Sequence, residues 1–220
     1  GWDSIVAEID AIRARYAPGE PVTLIGHSFG AMYAALYISE RGDEVGRAVL
    51  LEPGGLTGEI FAATYADVIS IDLLGIGLNR AFWQSEVLSP SDHEAVDYKA
   101  VRLLLDGHAT NYHCDPDQPV PIPVWRPGGH VEYLRGVAMG ASGASKPSFD
   151  FDFTTGLDAW VGSALLVAGT CSALGPDFQA EWHLPLFADA ELVEIPDAGH
   201  RMFVEQWDAV IAPIQEFLGP

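Results

Sequence analysis

The residues with the clearest chemical potential are Gly26-His27-Ser28-Phe29-Gly30 and a histidine near the far end of the chain, His200. Ser28 stands in a G-x-S-x-G pattern. A serine in a tight turn between a strand and a helix is forced into strained backbone angles, and its hydroxyl is presented at the helix amino end. Side chains at the two flanking glycines are expected to collide with neighbouring backbone. The Phe29 backbone N–H and the helix dipole would then favour a developing oxyanion. A serine hydroxyl is a poor nucleophile at neutral pH until a base takes its proton. His200, in Ile195-Pro196-Asp197-Ala198-Gly199-His200, is the candidate base. His27 flanks the nucleophile, His183 precedes a strand, and His93, His108, His113 and His130 fall in a central stretch, so surface or structural roles are expected for those six. A third group, a carboxylate, is needed to fix the histidine tautomer and stabilise its imidazolium. Glu52 ends the strand after Ser28, and Asp177 lies in a later loop; the two compete for this role.

The elements that must position these groups follow from apolar patterning. Ile5, Ile9, Ile12 and Tyr16 recur at helical spacing behind Asp3 or Ser4, and Pro18-Gly19 stops that helix. Val22-Thr23-Leu24-Ile25 reads as a short strand buried on both faces, running into Gly26. Ala31 to Glu40 reads as a helix packed close to a sheet. Further strands are expected at Arg47–Leu51, Ala164–Ala168 and Glu191–Ile195, before a last helix carrying Val210, Ile214 and Phe217. Strands alternating with helices imply an α/β fold with a mostly parallel sheet flanked by helices.

Between the second and third strands lie about a hundred residues, far beyond an ordinary α/β connection. The reading is an inserted helical cap over 59–149, with the sheet domain formed by 1–58 and 150–220. Within the insertion, Phe61 to Leu105 looks helical in two or three pieces; just after it, Asp150-Phe151-Asp152-Phe153 alternates like a short edge strand. Trp83, Trp125, Trp160, Tyr112 and Phe82 could line an apolar acyl pocket or could be packing. His108, His113, Cys114, Asp115 and Asp117 are dense in possible metal ligands but match no zinc spacing, so no metal and no cofactor is expected.

Composition narrows the partners. Eleven Lys and Arg against 31 Asp and Glu give a net charge of −20, which repels nucleic acid and anionic membrane surfaces. The chain reads as soluble, with the cytoplasm slightly favoured, and a small molecule is the expected substrate. Cys114 and Cys171 permit one bridge at most, have no C-x-x-C spacing, and are read as free thiols.

Taken together, Ser28 in its elbow, His200 after the last strand and the inserted cap resemble the α/β-hydrolase superfamily over nearly the whole chain. Glu52-Pro53-Gly54-Gly55 and the segment Gly175-Pro176-Asp177-Phe178-Gln179 look most similar to proline-iminopeptidase-like hydrolases. Many members carry the acid in a turn after the third strand recognised here, where this chain has Gly169-Thr170-Cys171-Ser172 and no carboxylate. A minority, including certain dehalogenases and lactonases, carry it where Glu52 stands, so the resemblance implies Glu52 as the acid, with Asp177 as the alternative. Dehalogenases and epoxide hydrolases of this fold use an aspartate nucleophile, so Ser28 disfavours those chemistries. The resemblance implies a serine hydrolase acting on a small ester, lactone or amide. An acyltransferase with the same triad and a non-catalytic ligand-binding module are the alternatives. It also implies that Asp115 and Asp117, or Asp92, Glu94 and Asp97, could bind the amino group of a peptide substrate. Finally, it implies first strands ahead of the helix at Ile5, which are missing from this chain. Without them the Val22–Ile25 strand is an apolar sheet edge, and a second chain or amino-terminal fragment is expected to complete the sheet.

Overall fold

The computed structural model describes residues 2–68, Cys114 and 150–219. Helix α1 (Trp2–Tyr16) has Asp3 in its first turn and Arg13 and Arg15 in its last, charges that oppose the helix dipole at each end. Strand β1 (Val22–His27) leads into α2 (Phe29–Arg41), then come β2 (Val45–Leu51) and α3 (Gly58–Val68). Beyond residue 150 the order is β3 (Ser163–Gly169), α4 (Pro176–Trp182), β4 (Ala190–Ile195), α5 (Met202–Glu205) and α6 (Trp207–Leu218). The four strands form one sheet in the order β1-β2-β3-β4, parallel throughout. The α/β class and the positions of all four strands therefore follow the sequence reading.

Each face of the sheet buries a separate apolar layer. On one face Ala48, Leu50, Ala164 and Leu166 pack with α2 residues Ala31, Ala35, Leu36 and Ile38, where small alanines let helix and sheet approach closely. On the other, Val49, Leu51, Leu165 and Val167 pack with Met202, Val210 and Ile214 of α5 and α6. β2 and β3 are thus covered on both sides, which is why they read as continuous apolar runs. Because all strands point the same way, the carboxyl ends of β1, β2, β3 and β4 lie along one edge. His27 pairs with Leu51, Leu51 with Val167, and Gly169 with Ile195.

Several expectations are corrected. β1 is not buried on both faces: Ile25 pairs with Val49 yet is 57% exposed, because α6 covers the inner strands and does not shield β1. No strand pairs with the outer edge of β1 among the described residues. The inner face of α1 is rotated from the expected stripe. Val6 is buried, with Ile5 and Ile9 packed beside it, while Ile12 and Tyr16 are 60% and 74% exposed. The Tyr37 hydroxyl donates to Asp10 of this helix at 2.7 Å. Trp160 is core: its Nε1 donates to the Val45 carbonyl at 2.8 Å, at the start of β2 and so at the opposite end of the sheet from Ser28. Phe153 is buried and Phe151 packs beside it, with an antiparallel bridge between Thr57 and Asp152.

Cys114 and Cys171 are not free thiols but are joined in a disulfide. Sequence spacing cannot reveal a pair so far apart, because their proximity is made by the fold. The other residues singled out between 59 and 149, Phe82, Trp83, Asp92, Glu94, Asp97, Tyr112, Asp115, Asp117 and Trp125 among them, lie outside the described residues, as do His93, His108, His113 and His130. Among the described residues no helix is long and apolar enough to cross a membrane, and no three His, Cys, Asp or Glu side chains converge as metal ligands.

Candidate active site

Ser28 sits between β1 and α2 with φ 55° and ψ −119°, backbone angles a non-glycine residue rarely adopts. Three bonds hold it there. Its N–H donates to the Leu51 carbonyl at 2.9 Å, and its own carbonyl accepts from Ala31 at 3.0 Å and Met32 at 3.1 Å. The side chain does not cap the helix, which leaves the hydroxyl for other work. Gly26 is required by close approach: a Cβ there would stand 2.3 Å from the Gly30 carbonyl oxygen. Gly30 is not required for the same reason, since a Cβ at that position meets nothing within 4 Å. The crossing of strand and helix is tight on the strand side only. Phe29 is the first residue of α2, so its N–H belongs to the positive end of the helix.

Glu52 leaves β2 in a left-handed conformation, φ 43°, with its N–H bonded to the Val167 carbonyl at 3.0 Å. This turn points the carboxylate into the protein, where it is fully buried. A buried charge is tolerated only when its oxygens are supplied with donors. Oε1 accepts from the Gly169 N–H at 2.7 Å. Oε2 accepts from the Ser172 hydroxyl at 2.7 Å and lies 2.5 Å from His200 Nδ1. An ionised carboxylate can only accept, so Nδ1 carries the proton and Nε2 becomes the basic nitrogen of the ring.

The loop that delivers His200 is fastened to the end of β3. Gly169 passes so close that a Cβ there would lie 2.4 Å from the Ala198 carbonyl oxygen. Cys171 N–H donates to the same Ala198 carbonyl at 2.9 Å, and the Asp197 N–H, at a residue with φ 53°, donates to Thr170 Oγ1 at 3.1 Å. Gly199 N–H is bonded to Glu205. From the other side His27 Nε2 meets the His200 carbonyl at 2.7 Å, and the two rings lie 4.6 Å apart. Burial lowers the His27 pKa to about 3, with the facing His200 and then Arg201 adding to the effect. A neutral His27 donates to that carbonyl and adds no positive charge beside an imidazolium.

Of the residues singled out in the sequence, Ser28, Glu52 and His200 therefore gather at the carboxyl edge of the sheet. Asp177 does not join them; it is exposed in the first turn of α4. Ser172 was not recognised, because a lone hydroxyl in a loop carries no pattern. Gln179 and His183 were also missed as a unit. Both are fully buried. Gln179 Nε2 donates to the carbonyls of Pro53 at 3.1 Å and Leu174 at 2.8 Å, while its Oε1 accepts from His183 Nδ1 at 2.7 Å. The residue following Glu52 is thereby tied to α4.

Burial depresses the His183 pKa from 6.5 to about 3. The unfolded chain takes up a proton below pH 6.5 that the native ring refuses, so stability is fully present above that pH and is lost as pH falls towards 3. Between pH 7.5 and 5 this group alone should remove about 2 kcal/mol of unfolding free energy. His183→Gln, compared with the parent protein by urea unfolding at both pH values, should show a loss smaller by that amount. Parallel losses in the two proteins would refute the effect.

A strained serine at the end of a parallel strand, with a buried carboxylate and an imidazole on the same sheet edge, matches the strand-turn-helix context expected of an α/β-hydrolase fold. The chain belongs to the alpha/beta hydrolase family, whose sequence profile matches residues 1–212. No curated protein matches it in sequence. Among solved structures it is similar to a proline iminopeptidase of Mycobacterium smegmatis, at 16% identity and a TM-score of 0.59, with 99% of this chain aligned to 71% of that one. It is also similar to a thermophilic esterase of Thermogutta terrifontis, at 18% identity and a TM-score of 0.54, over 99% of this chain and 71% of that one. A third is Est816, described as an N-acyl homoserine lactone degrading enzyme, at 17% identity and a TM-score of 0.51, over 98% of this chain and 73% of that one.

Proposed function

We propose that this protein is a serine hydrolase that cleaves a small ester, lactone or amide through an acyl-enzyme. The observation that carries the reading is the 2.5 Å contact between His200 Nδ1 and a fully buried Glu52 carboxylate, on the sheet edge where β1 delivers Ser28. In the reaction, Ser28 Oγ attacks the carbonyl carbon and passes its proton to His200 Nε2, while Glu52 stabilises the imidazolium. The carbonyl oxygen gains negative charge at the amino end of α2, near the Phe29 N–H. As the carbon–oxygen or carbon–nitrogen bond breaks, His200 returns the proton to the leaving group. Water, deprotonated by the same ring, then releases the acyl group and restores Ser28. Peptide, ester and lactone cleavage, the activities named for the three similar structures, all share this carbonyl chemistry.

The test is labelling by a fluorophosphonate probe, located by peptide mass spectrometry, over pH 5 to 8. Ser28 should be modified, faster as pH rises, because only the neutral imidazole accepts the serine proton. No labelling, or a rate flat across that range, would count against the triad.

A further inference from the structure

We propose that Ser172 is a positioning residue for the base: its hydroxyl occupies the Glu52 oxygen that His200 uses, and so limits how firmly the imidazole holds its second proton. This inference rests on the triad reading above. The direction of the bond follows from two contacts. The Leu174 N–H lies 3.2 Å from Ser172 Oγ and can only donate, so the serine proton is directed at Glu52 Oε2, 2.7 Å away. His200 Nδ1 meets the same oxygen at 2.5 Å. Oε2 thus serves two donors while Oε1 serves one, the Gly169 N–H.

The hydroxyl is held there by its backbone. Ser172 N–H donates to the Gly169 carbonyl at 3.2 Å, and the Ser172 carbonyl accepts from Gly175 at 3.0 Å, closing a tight turn. The neighbouring Cys171 is anchored on one side by its N–H bond to Ala198 and on the other by the disulfide. Ser172 therefore has little freedom to leave Glu52.

A donor on a carboxylate oxygen draws charge away from its other partner. With Ser172 in place, part of the Glu52 charge is spent on a hydroxyl and the imidazolium is stabilised less. The imidazolium then returns its proton more readily to a leaving group. Without the hydroxyl, the full carboxylate charge faces His200 and its proton is held more tightly. Among the described residues, the other ionisable groups set around His200 are His27, Arg201 and Glu205.

The experiment compares the parent protein with Ser172→Ala, Ser172→Val and Ser172→Thr. Two quantities are read: the His200 imidazole titration by NMR, and the pH dependence of kcat/KM for p-nitrophenyl acetate. Loss of the hydroxyl in Ala and Val should raise the titration midpoint of His200 by about half a unit to one unit. The acid limb of the rate profile should move with it, and Thr should return both to the parent values. Ala and Val remove the hydroxyl from side chains of different size, so a folding defect in one leaves the other to decide. Midpoints unchanged in Ala and Val, or raised equally in Thr, would overturn the proposal. A parent protein with no hydrolysis would instead overturn the triad reading, and the NMR midpoints would still report on Ser172.

Discussion

Ser28→Ala should lower kcat/KM by about 10⁴-fold or more, with little loss of fold stability. The size follows from how a triad works: attacking oxygen, base and acid act as one unit, so removing the nucleophile forfeits nearly all that the unit supplies. The small structural cost follows from the position. The Ser28 hydroxyl does not cap α2, and the bonds that hold the turn are made by its backbone. Alanine keeps those bonds and the strained angles alike. Steady-state hydrolysis of an aryl ester, together with a thermal melt, reads both. A variant retaining a tenth of parent activity would exclude Ser28 as the nucleophile. The same variant separates the remaining alternatives. An acyltransferase would lose activity with it, but the parent protein would yield acylated alcohol or amine in water, which a hydrolase would not. A ligand-binding module would show no turnover to lose.

Glu52→Gln should lower kcat by about 10³- to 10⁴-fold, whereas Asp177→Asn should leave it within about twofold. The amide of a glutamine would offer His200 either a donor where an acceptor is needed or a neutral oxygen where a charge is needed. Both outcomes misplace the Nδ1 proton and leave the imidazolium without its counter-charge. Glu52 is also buried with three donors aimed at it, from Gly169, Ser172 and His200. Removing its charge strands part of that set, so a stability loss of a few kcal/mol should accompany the kinetic one. Asp177 faces solvent in the first turn of α4, where its charge is worth about 0.3–1 kcal/mol to the helix. Equal kinetic losses in the two variants would reassign the acid.

The strands were readable because β2 and β3 are covered on both faces, and a continuous apolar run is what such burial demands. The strained turn at Ser28 was readable because it and the close approach at Gly26 leave a compact pattern. Glu52 stood out by position, as the carboxylate that ends β2. What sequence periodicity lacks is knowledge of neighbours. It gave β1 the same reading as β2, because four apolar and β-branched residues look alike whether or not a helix lies over Ile25. It also spread the face of α1 to Ile12 and Tyr16, although the turn that meets the sheet layer centres on Val6. Gly30 shared the pattern of Gly26 without its steric need. The bonds of Ser172 to Glu52 and of Gln179 to Pro53 and His183 went unseen for a further reason: they join residues more than a hundred positions apart, or two polar side chains inside one short helical segment. No local spacing encodes these.

The bridge between Cys114 and Cys171 joins partners 57 residues apart. In the chain-entropy account, closing a loop of that length removes about 4 kcal/mol of disorder from the unfolded chain. Bonds of this kind form and persist in oxidising surroundings. Cys171 stands immediately before the serine that grips the buried acid. Material recovered from a reducing host would therefore be a chemically different substance from oxidised protein, and two laboratories assaying the same gene product could measure different enzymes unless thiol content was titrated first.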